Sequence, residues 1–488
     1  MSREFEIRLG RRTLGRRAVT LGGLVTALLL IGGGGSLIRA ESATVAAEAP
    51  PAVGRTTSVC TVADAIGSRT AVHAVSVGDG QSKPGRLTAE SVAGKQGSLD
   101  IRDPGTGRTI QQRTSSVVLQ AEGSMAVASS GAVVGAATSG DQAGLMAAPC
   151  VAPSTLHWFA GVGTGQANQT ELILTNPDQA QAEVDLRFYG RRGRVAVPGS
   201  PGITVPGRSS RAVTLSSLVQ GTSQSPISVA VRASAGRVAV VAKELRREKL
   251  APDGADYQLS AAPPGTSVVI PAVPDGGGGR RLVVANPGAL RASVTVQVLG
   301  LQGGYAPAGA DHLELAPESS AEVDLAEGLA GEYGAVRLTS DQPVTGAVVS
   351  SSQRGGAESD IAVQSAAPAL VGSGVSAIAT TDLAETNLVV SNGTDSDTRV
   401  SFDVRSYDGV ILRSDDIFLS AYTTATRRLN SPAPSYVVVR VPAGSGVYGG
   451  VVLTQPEGGI AGLATIPLVS PDIAGRAPYP IPDPGVGL

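Results

Sequence analysis

The stretch that decides the fold is LILTNP, at residues 172–177, because related stretches recur twice downstream. They read LVVANP at residues 282–287 and LVVSNG at residues 388–393. An apolar run followed by Asn-Pro or Asn-Gly is typical of a strand that ends in a turn, since proline presets φ and asparagine and glycine tolerate turn geometry. We therefore interpret the motif as a structural turn rather than as a ligand contact, and its recurrence as one fold built several times.

Three further patterns keep the same spacing. Alternating polarity at residues 184–188, 294–298 and 400–404 predicts half-buried strands. Two apolar runs around a short polar loop close each copy and predict hairpins at residues 229–242, 335–349 and 437–452. The tripeptide Ala-Ala-Pro ends at Pro149, Pro263 and Pro368. Because the segment 125–136 resembles the closing hairpins, we expect a fourth, divergent copy without a recognisable asparagine.

These repeats divide the chain into units of about 100 residues, the size of immunoglobulin-like β-sandwiches. We predict an all-β fold of tandem immunoglobulin-like β-sandwich domains after one N-terminal transmembrane helix. The boundaries we predict for the four sandwiches are 58–150, 151–263, 264–368 and 369–470. A linker at 39–57 precedes them, and a Pro-rich tail at 471–488 follows them.

Composition favours the same fold class. Aromatic residues make up 3% of the chain, whereas 63 glycines and 31 prolines interrupt it throughout. Such punctuation favours many short strands and leaves little room for long helices. A chain of 488 residues also exceeds what one hydrophobic core normally covers, so several folded units are expected.

The N-terminus is typical of a membrane-targeting signal. An arginine-rich segment at 1–17 precedes residues 18–38, a run of 21 residues without charge and close to the roughly 20 that span a bilayer. The arginines should remain cytoplasmic, which places the domains outside the cell membrane. Two interpretations stay open. Residues 18–38 are an uncleaved single-pass anchor, or they are a signal peptide cut near residues 45–47 from a secreted protein.

Charge excludes one class of partner. The whole chain carries a net charge of −2, and the part after residue 39 contains 32 basic and 39 acidic residues. A mildly acidic ectodomain lacks the basic stripe that engages phosphates, so we expect no nucleic-acid partner.

Cys60 and Cys150 are the only cysteines, and both follow the predicted membrane segment. Because an isolated pair in an oxidising compartment usually forms a disulfide, we predict a structural Cys60–Cys150 bridge. The alternative is a zinc site that adds His73 and His157 to the two cysteines. It is disfavoured because zinc sites usually contain closely spaced ligand pairs such as C-x2-C.

Motifs for nucleophilic, phosphate-transfer and dinucleotide chemistry are not recognisable, so we expect a protein that is not an enzyme and holds no cofactor or metal. The glycine cluster at 161–165 lacks the following helix of a dinucleotide site and is interpreted as a loop. Trp158 is the candidate for stacking on a glycan, although such an aromatic residue is also typical of a sandwich core. Asp395 and Asp397 are weak calcium candidates, because the complete loop pattern is missing.

With its arginine-rich start, its N-terminal membrane segment and its repeated LILTNP and LVVANP motifs followed by alternating strands, the chain resembles exported actinobacterial proteins of a domain-of-unknown-function family. The resemblance covers most of residues 1–470. It implies tandem sandwich units outside the membrane. It transfers no functional residue, because that family has no established activity.

Together these features favour a non-enzymatic, membrane-tethered extracytoplasmic scaffold that binds cell-envelope proteins and serves the assembly or export of an envelope polymer. The alternative is a glycan-binding or weakly hydrolytic cell-wall protein that uses Trp158 and nearby acidic residues.

Overall fold

Strands form almost all of the regular structure. The computed structural model describes residues 54–62, 70–78, 84–111, 115–137, 139–219, 225–248, 251–352, 359–380, 382–455 and 462–471. Within these ranges the helical turns are short and lie at Ser124–Val127, Leu215–Leu218 and Ala326–Leu329. The prediction of an all-β chain is therefore confirmed.

The predicted cytoplasmic and membrane segments, at 1–17 and 18–38, lie outside the described residues, as do most of the linker and nearly all of the tail. Across the part of the chain that is described, no helix has the length and apolar character needed to cross a membrane.

The strands fall into four consecutive sets. The first sandwich contains β1 (Arg55–Cys60), β2 (Ala71–Ser76), β3 (Gly85–Ser91), β4 (Gly94–Ile101), β5 (Gly107–Gln111), β6 (Val117–Gly123), β7 (Ser129–Ala137) and β8 (Gly144–Pro149). The second contains β9 (Leu156–Val162), β10 (Asn168–Asn176), β11 (Ala182–Gly190), β12 (Gly193–Val195), β13 (Ile203–Val205), β14 (Ser209–Thr214), β15 (Ile227–Ala235), β16 (Ala239–Glu248) and β17 (Ala251–Leu259).

The third sandwich contains β18 (Gly265–Val273), β19 (Arg280–Asn286), β20 (Ala292–Leu299), β21 (Gly304–Tyr305), β22 (His312–Leu315), β23 (Ser319–Asp324), β24 (Gly334–Ser351) and β25 (Ile361–Ser365). The fourth contains β26 (Ser373–Ile378), β27 (Glu385–Asn392), β28 (Thr398–Ser406), β29 (Ile411–Leu419), β30 (Thr424–Arg428), β31 (Ser435–Arg440), β32 (Val447–Thr454) and β33 (Leu463–Pro467).

All four sets share one strand order. In the first sandwich the facing sheets run β4-β3-β6-β1 and β5-β2-β7-β8, and in the fourth they run β29-β28-β31-β26 and β30-β27-β32-β33. The second follows the same scheme, and so does the third, where the 18-residue β24 pairs with β20 in one sheet and with β19 in the other. This order differs from the ABED and CFG sheets of immunoglobulin constant domains.

The predicted hairpins are wrong. Residues 229–242 place β15 in one sheet and β16 in the facing sheet, and residues 437–452 divide in the same way between β31 and β32. Residues 335–349 lie within the single strand β24. Each segment therefore crosses the core from sheet to sheet. A strand buried on one face shows a period of two whether its successor lies beside it or opposite it, so the pattern does not separate these cases.

One predicted boundary shifts, and the Ala-Ala-Pro tripeptides differ in position among the copies. Strand β1 begins at Arg55, inside the predicted linker 39–57 and before the predicted start of the first sandwich. The first Ala-Ala-Pro forms the end of β8, whereas those ending at Pro263 and Pro368 follow β17 and β25. The three tripeptides therefore do not occupy equivalent positions.

The recurring asparagines are buried clamps. Each Oδ1 accepts the N–H two residues later at 3.0 Å, and each Nδ2 donates to two carbonyl oxygens at 2.7–3.1 Å. The carbonyls belong to Ala180 and Val205 for Asn176, to Leu290 and Ala316 for Asn286, and to Ser396 and Ser420 for Asn392. These bonds hold the bend that follows each strand, as the turn interpretation of the motif predicts.

The last strands of the four sandwiches meet within the compact unit Ala52–Ala477. Strand β8 packs against β17 and β33, and β25 packs against the same two strands, so these four strands close a ring. We call β8, β17, β25 and β33 the axial strands. Each is the end strand of a sheet, and the ring places their outer edges together in the interior.

The predicted disulfide is confirmed. Cys60, at the end of β1, is bonded to Cys150, the residue after β8. Both cysteines lie in the apolar core of the first sandwich, which also includes Val241 and Tyr257 of the second sandwich. The bridge therefore stabilises the core at the place where the first two sandwiches join.

Candidate functional site

One buried carboxylate joins the four axial strands. Asp360 precedes β25, and its Oδ2 accepts the N–H groups of Leu145 and Leu463 at 2.8 Å each. Its Oδ1 accepts those of Ala255 and Ile361 at 3.2 and 2.9 Å, so every sandwich contributes one donor. The carboxylate thus satisfies edge-strand amides that burial would otherwise leave unpaired. Burial raises the pKa of Asp360 to about 7, while the four N–H bonds act in the opposite direction.

Glycines leave room for this carboxylate. Gly144, Gly254 and Gly462 precede the donors in the other three sandwiches, so Asp360 occupies a position that is glycine elsewhere. A Cβ atom added to Gly144 would lie 2.4 Å from the Asp360 carboxylate, and one added to Gly254 would lie 2.6 Å from the amide nitrogen of Ile361. The space between the four axial strands therefore accommodates one acidic side chain at this position.

Asp256 on β17 is a second buried carboxylate that accepts backbone N–H groups from neighbouring axial strands. Its Oδ1 accepts the N–H of Ala147 at 3.3 Å, and its Oδ2 accepts that of Val363 at 3.1 Å. Burial raises the pKa of Asp256 well above its usual range, and the charge of Asp360 acts in the same direction. The two acids therefore link β17 to its neighbours β8 and β25 by side-chain bonds.

The first and fourth sandwiches meet at a buried histidine. Tyr407 Oη lies 2.7 Å from His73 Nδ1, and Tyr436 Oη donates to the carbonyl of Gly105 at 2.6 Å. Burial lowers the pKa of His73 to about 4, so the imidazole is neutral at neutral pH and its Nδ1 shares a hydrogen bond with the Tyr407 hydroxyl. His73 therefore has a packing role at the contact that closes the ring.

A mainly apolar pocket of about 560 Å³ lies where the segments after the axial strands converge, and we call it the axial pocket. Each sandwich contributes to its wall the proline that ends or follows its axial strand, namely Pro149, Pro263, Pro368 and Pro467. Trp158 lines it as well, but this side chain is buried against Tyr189 and belongs to the apolar cluster of the third sandwich. It presents no open face to solvent, so the glycan contact stays a prediction that requires a ligand inside this pocket.

A second cavity, of about 510 Å³, lies between the second and third sandwiches, and we call it the polar cleft. The glycine loop at 161–165 forms one wall. Thr170 Oγ1 accepts the N–H of Gly163 at 2.6 Å and donates to Glu244 Oε1 at 2.6 Å, which fixes a nearly buried carboxyl at the cleft. Burial raises the pKa of Glu244 to about 7, so this group titrates near neutral pH.

Two arginines face the same cleft. Arg281 on β19 lies 3.4 Å from the Glu322 carboxylate on β23. Arg246 on β16 has no side-chain hydrogen bond or ion pair within the described ranges, and burial together with the charge of Arg281 lowers its pKa to about 10. The cleft therefore combines a carboxyl of near-neutral pKa with a guanidinium that has donors to spare.

An exposed apolar strip lies on the fourth sandwich. Val410, Ile411, Leu412 and Phe418 each expose more than half of their surface. They lie at or next to β29, which ends its sheet and pairs only with β28 among the strands described. Exposed apolar side chains along a free strand edge are typical of a protein-binding surface.

The other predicted ligands do not converge. The zinc alternative with His73 and His157 is wrong, because both cysteine sulfurs are held in the disulfide. Asp397 accepts the N–H of Ala421 at 2.9 Å. Among the residues that the structure describes, no group of three His, Cys, Asp or Glu side chains is placed to hold a metal ion.

Sequence reasoning missed Asp360 and the pair Glu244 and Arg246. A signal for the second pair was present in β16, where Val240 and Ala242 face the core and the same face continues with the two charged residues. Because side chains two apart share one face of a strand, this pattern indicates that the charged pair continues the core-facing surface. Asp360 carries no such signal. Its special position is recognised only when the four sandwiches are superimposed and glycine is found at the equivalent position of the other three.

Comparison with known proteins identifies a family. The model of a family of unknown function, DUF5719, matches residues 106–430, which is more than half of the chain. The search of curated proteins with this chain found no match.

Two solved structures give distant alignments. The crystal structure of Thermotoga maritima 1070 aligns over 21% of this chain and 94% of its own at 13% identity, with a TM-score of 0.19. A family 2 glycosyl hydrolase from Bacteroides cellulosilyticus DSM 14838 aligns over 59% and 36% at 10% identity, with a TM-score of 0.12. Scores this low support no inference about fold or activity.

Proposed function

The chain belongs to this family of unknown function, and from that premise we propose that it is a membrane-tethered extracytoplasmic scaffold. In this proposal residues 18–38 anchor a tandem array of immunoglobulin-like repeats outside the cell membrane. The array binds a protein of the cell envelope and serves the assembly or export of an envelope polymer without catalysing a reaction itself.

The observation that carries the proposal is the apolar strip on β29. Val410, Ile411 and Leu412 are three consecutive exposed apolar residues at the start of β29, and Phe418 is a further one near its end. The edge of β29 leaves backbone groups for a further strand. A partner that adds a strand there gains main-chain hydrogen bonds and covers the side chains. A protein partner with an apolar, extended segment fits this surface.

Two other features support a scaffold outside the cytoplasm. The Cys60–Cys150 disulfide is the kind of bond that persists in oxidising compartments. The axial strands, joined through Asp360, make the four sandwiches a single support rather than independent domains on linkers. A surface on one sandwich is therefore held in a fixed relation to the others.

Site-specific photo-crosslinking in intact cells tests the proposal. A photoreactive phenylalanine replaces Phe418 in a tagged full-length chain, and the matched control replaces Leu290, a lone leucine that is 63% exposed on the third sandwich. We expect reproducible capture of an envelope synthesis or transport protein from position 418 and not from 290. Equal capture from both positions, or none, contradicts the proposal.

The anchor is tested separately by fractionation and N-terminal sequencing of the mature chain. We expect the full N-terminus in the membrane fraction. A soluble chain that starts near Glu48 contradicts the anchor and leaves a secreted scaffold.

A further inference from the structure

We propose that the polar cleft between the second and third sandwiches binds a small hydroxylated ligand through an oxyanion, either a carboxylate or a phosphate. The inference goes beyond the scaffold function and does not depend on it. It rests on the charged groups that line the cleft, on their partners and on the size of the cavity.

The charged groups of the cleft continue a core-facing strand surface. Val240 and Ala242 of β16 point into the core of the second sandwich, and Glu244 and Arg246 extend the same face into the cleft. Charged groups on a core-facing strand surface are costly to desolvate unless partners or a ligand compensate them. The third sandwich covers this face with Arg281, so the charges lie between two walls rather than in open solvent.

The charged side chains of the cleft differ in how they are paired. Glu322 pairs with Arg281 at 3.4 Å, and Glu244 accepts the Thr170 hydroxyl at 2.6 Å. Arg246 forms no side-chain hydrogen bond or ion pair in the described part of the chain, and only the more distant charges of acids such as Glu244 and Glu322 act on it. A guanidinium presents its donors in a planar fork that matches carboxylate and phosphate oxygens, so an oxyanion is the group that complements it.

The rest of the cleft lining offers both polar and apolar contacts. Glu244 and Glu322 offer acceptor oxygens for hydroxyl groups, while Val283 and Val349 offer apolar contact for a carbon skeleton. The volume of about 510 Å³ falls within the roughly 300–1,000 Å³ of small-molecule sites. A ligand of the size of one or two sugar rings with one anionic group fits these walls.

Isothermal titration calorimetry on the purified full chain tests the site with three probes. Glucuronate carries a carboxylate, glucose 6-phosphate carries a phosphate, and glucose carries neither. We expect saturable binding of at least one anionic probe and binding of glucose that is about tenfold weaker or more. Which anion binds more tightly identifies the oxyanion. Failure of both anionic probes to bind, or equal binding of glucose, overturns the proposal.

Variants locate the binding. Arg246→Gln should weaken the anionic probe about tenfold, since a charge-assisted hydrogen bond is lost. Arg428→Gln is the matched control, because Arg428 is an exposed arginine paired with Glu385 on the fourth sandwich, and it should leave binding unchanged. Equal loss in both variants assigns the binding to general charge and overturns the site.

Glu244→Gln gives a readout of the opposite sign. It keeps an acceptor beside Thr170 but removes a carboxylate near the proposed anion, so the anionic probe should bind as tightly as before or more tightly. Weaker binding of the anionic probe in this variant would mean that the Glu244 carboxylate favours the ligand instead of opposing its charge, and it contradicts the proposal. Unfolding midpoints of all variants establish that each is folded at the temperature of titration.

Discussion

The Oδ2 atom of Asp360 lies 2.8 Å from the amide nitrogen of Leu145, although 215 residues separate the two in sequence. This bond joins the third sandwich to the first, which are not neighbours along the chain. Buried hydrogen bonds of this kind specify an arrangement as well as stabilising it, because any other arrangement leaves the donor unpaired. The ring of axial strands should therefore depend on this single side chain.

Replacing Asp360 by leucine should destabilise the protein strongly. The change leaves four buried N–H groups without an acceptor, and each unpaired donor costs about 1–3 kcal/mol. We therefore expect the free energy of unfolding to fall by at least about 4 kcal/mol. Asp360→Asn should cost less, since its one carbonyl oxygen still accepts two donors. Urea unfolding followed by circular dichroism measures both losses. Asp382→Asn, at an exposed aspartate, is the control, and an Asp360→Leu loss no larger than this control contradicts the prediction.

The asparagine clamp predicts a distinction between two small substitutions. Asn286→Ala removes the acceptor for Gly288 N–H and the donor for Leu290 and Ala316, and should cost roughly 2 kcal/mol. Asn286→Asp keeps the acceptor but turns the donor into a second acceptor that faces two carbonyl oxygens. It should therefore be at least as destabilising as alanine. Thermal unfolding of the pair checks this order, and a stable aspartate variant contradicts the donor role.

The repeats show how far the sequence predicts this fold. The alternating strands at 184–188, 294–298 and 400–404 are β-strands as predicted, because the period of two survives in each copy. The first copy was not recognisable by its asparagine, because Ser76 occupies the equivalent position. The N–H of Ser76 donates to the carbonyl of Thr106, just as the N–H of Asn392 donates to the carbonyl of Thr423. Local patterns therefore predict strands well, even where one key residue has changed.

The arrangement of the sandwiches was not predictable from local patterns. Asp360 lies in the stretch ESDIAV, which has no distinctive pattern, and three of the four partners of its carboxylate come from the other three sandwiches. The same holds for the polar cleft, because Arg246 and Arg281 meet only when two sandwiches pack together. Contacts between units depend on which edges meet, and a single sequence does not encode that in any periodicity.

The disulfide predicts a large effect of removing both cysteines. Cys60 and Cys150 are 90 residues apart, and for a loop of this size the chain-entropy model gives a stabilisation of about 4–5 kcal/mol. The double variant Cys60→Ala with Cys150→Ala should lose about that amount in urea unfolding. The parent chain unfolded in reducing agent should approach the same value. A double variant as stable as the oxidised parent contradicts the structural role.

The contact between His73 and Tyr407 predicts a dependence of stability on pH. Burial lowers the pKa of His73 from its ordinary 6.5 to about 4, so between these values the unfolded chain binds more protons than the folded one. The contribution of His73 is therefore complete above pH 6.5 and is lost as the pH falls toward 4, by roughly 3 kcal/mol in total.

A variant separates this contribution from groups that act in the opposite direction. Burial raises the pKa of Asp360 and Glu244 to about 7, so their contributions are lost as the pH rises toward 7. His73→Gln should be less stable than the parent at neutral pH, because the Tyr407 hydroxyl loses its imidazole partner. Its free energy of unfolding should nevertheless fall less between neutral pH and pH 4. Parallel pH profiles for variant and parent would assign the acid sensitivity to other groups.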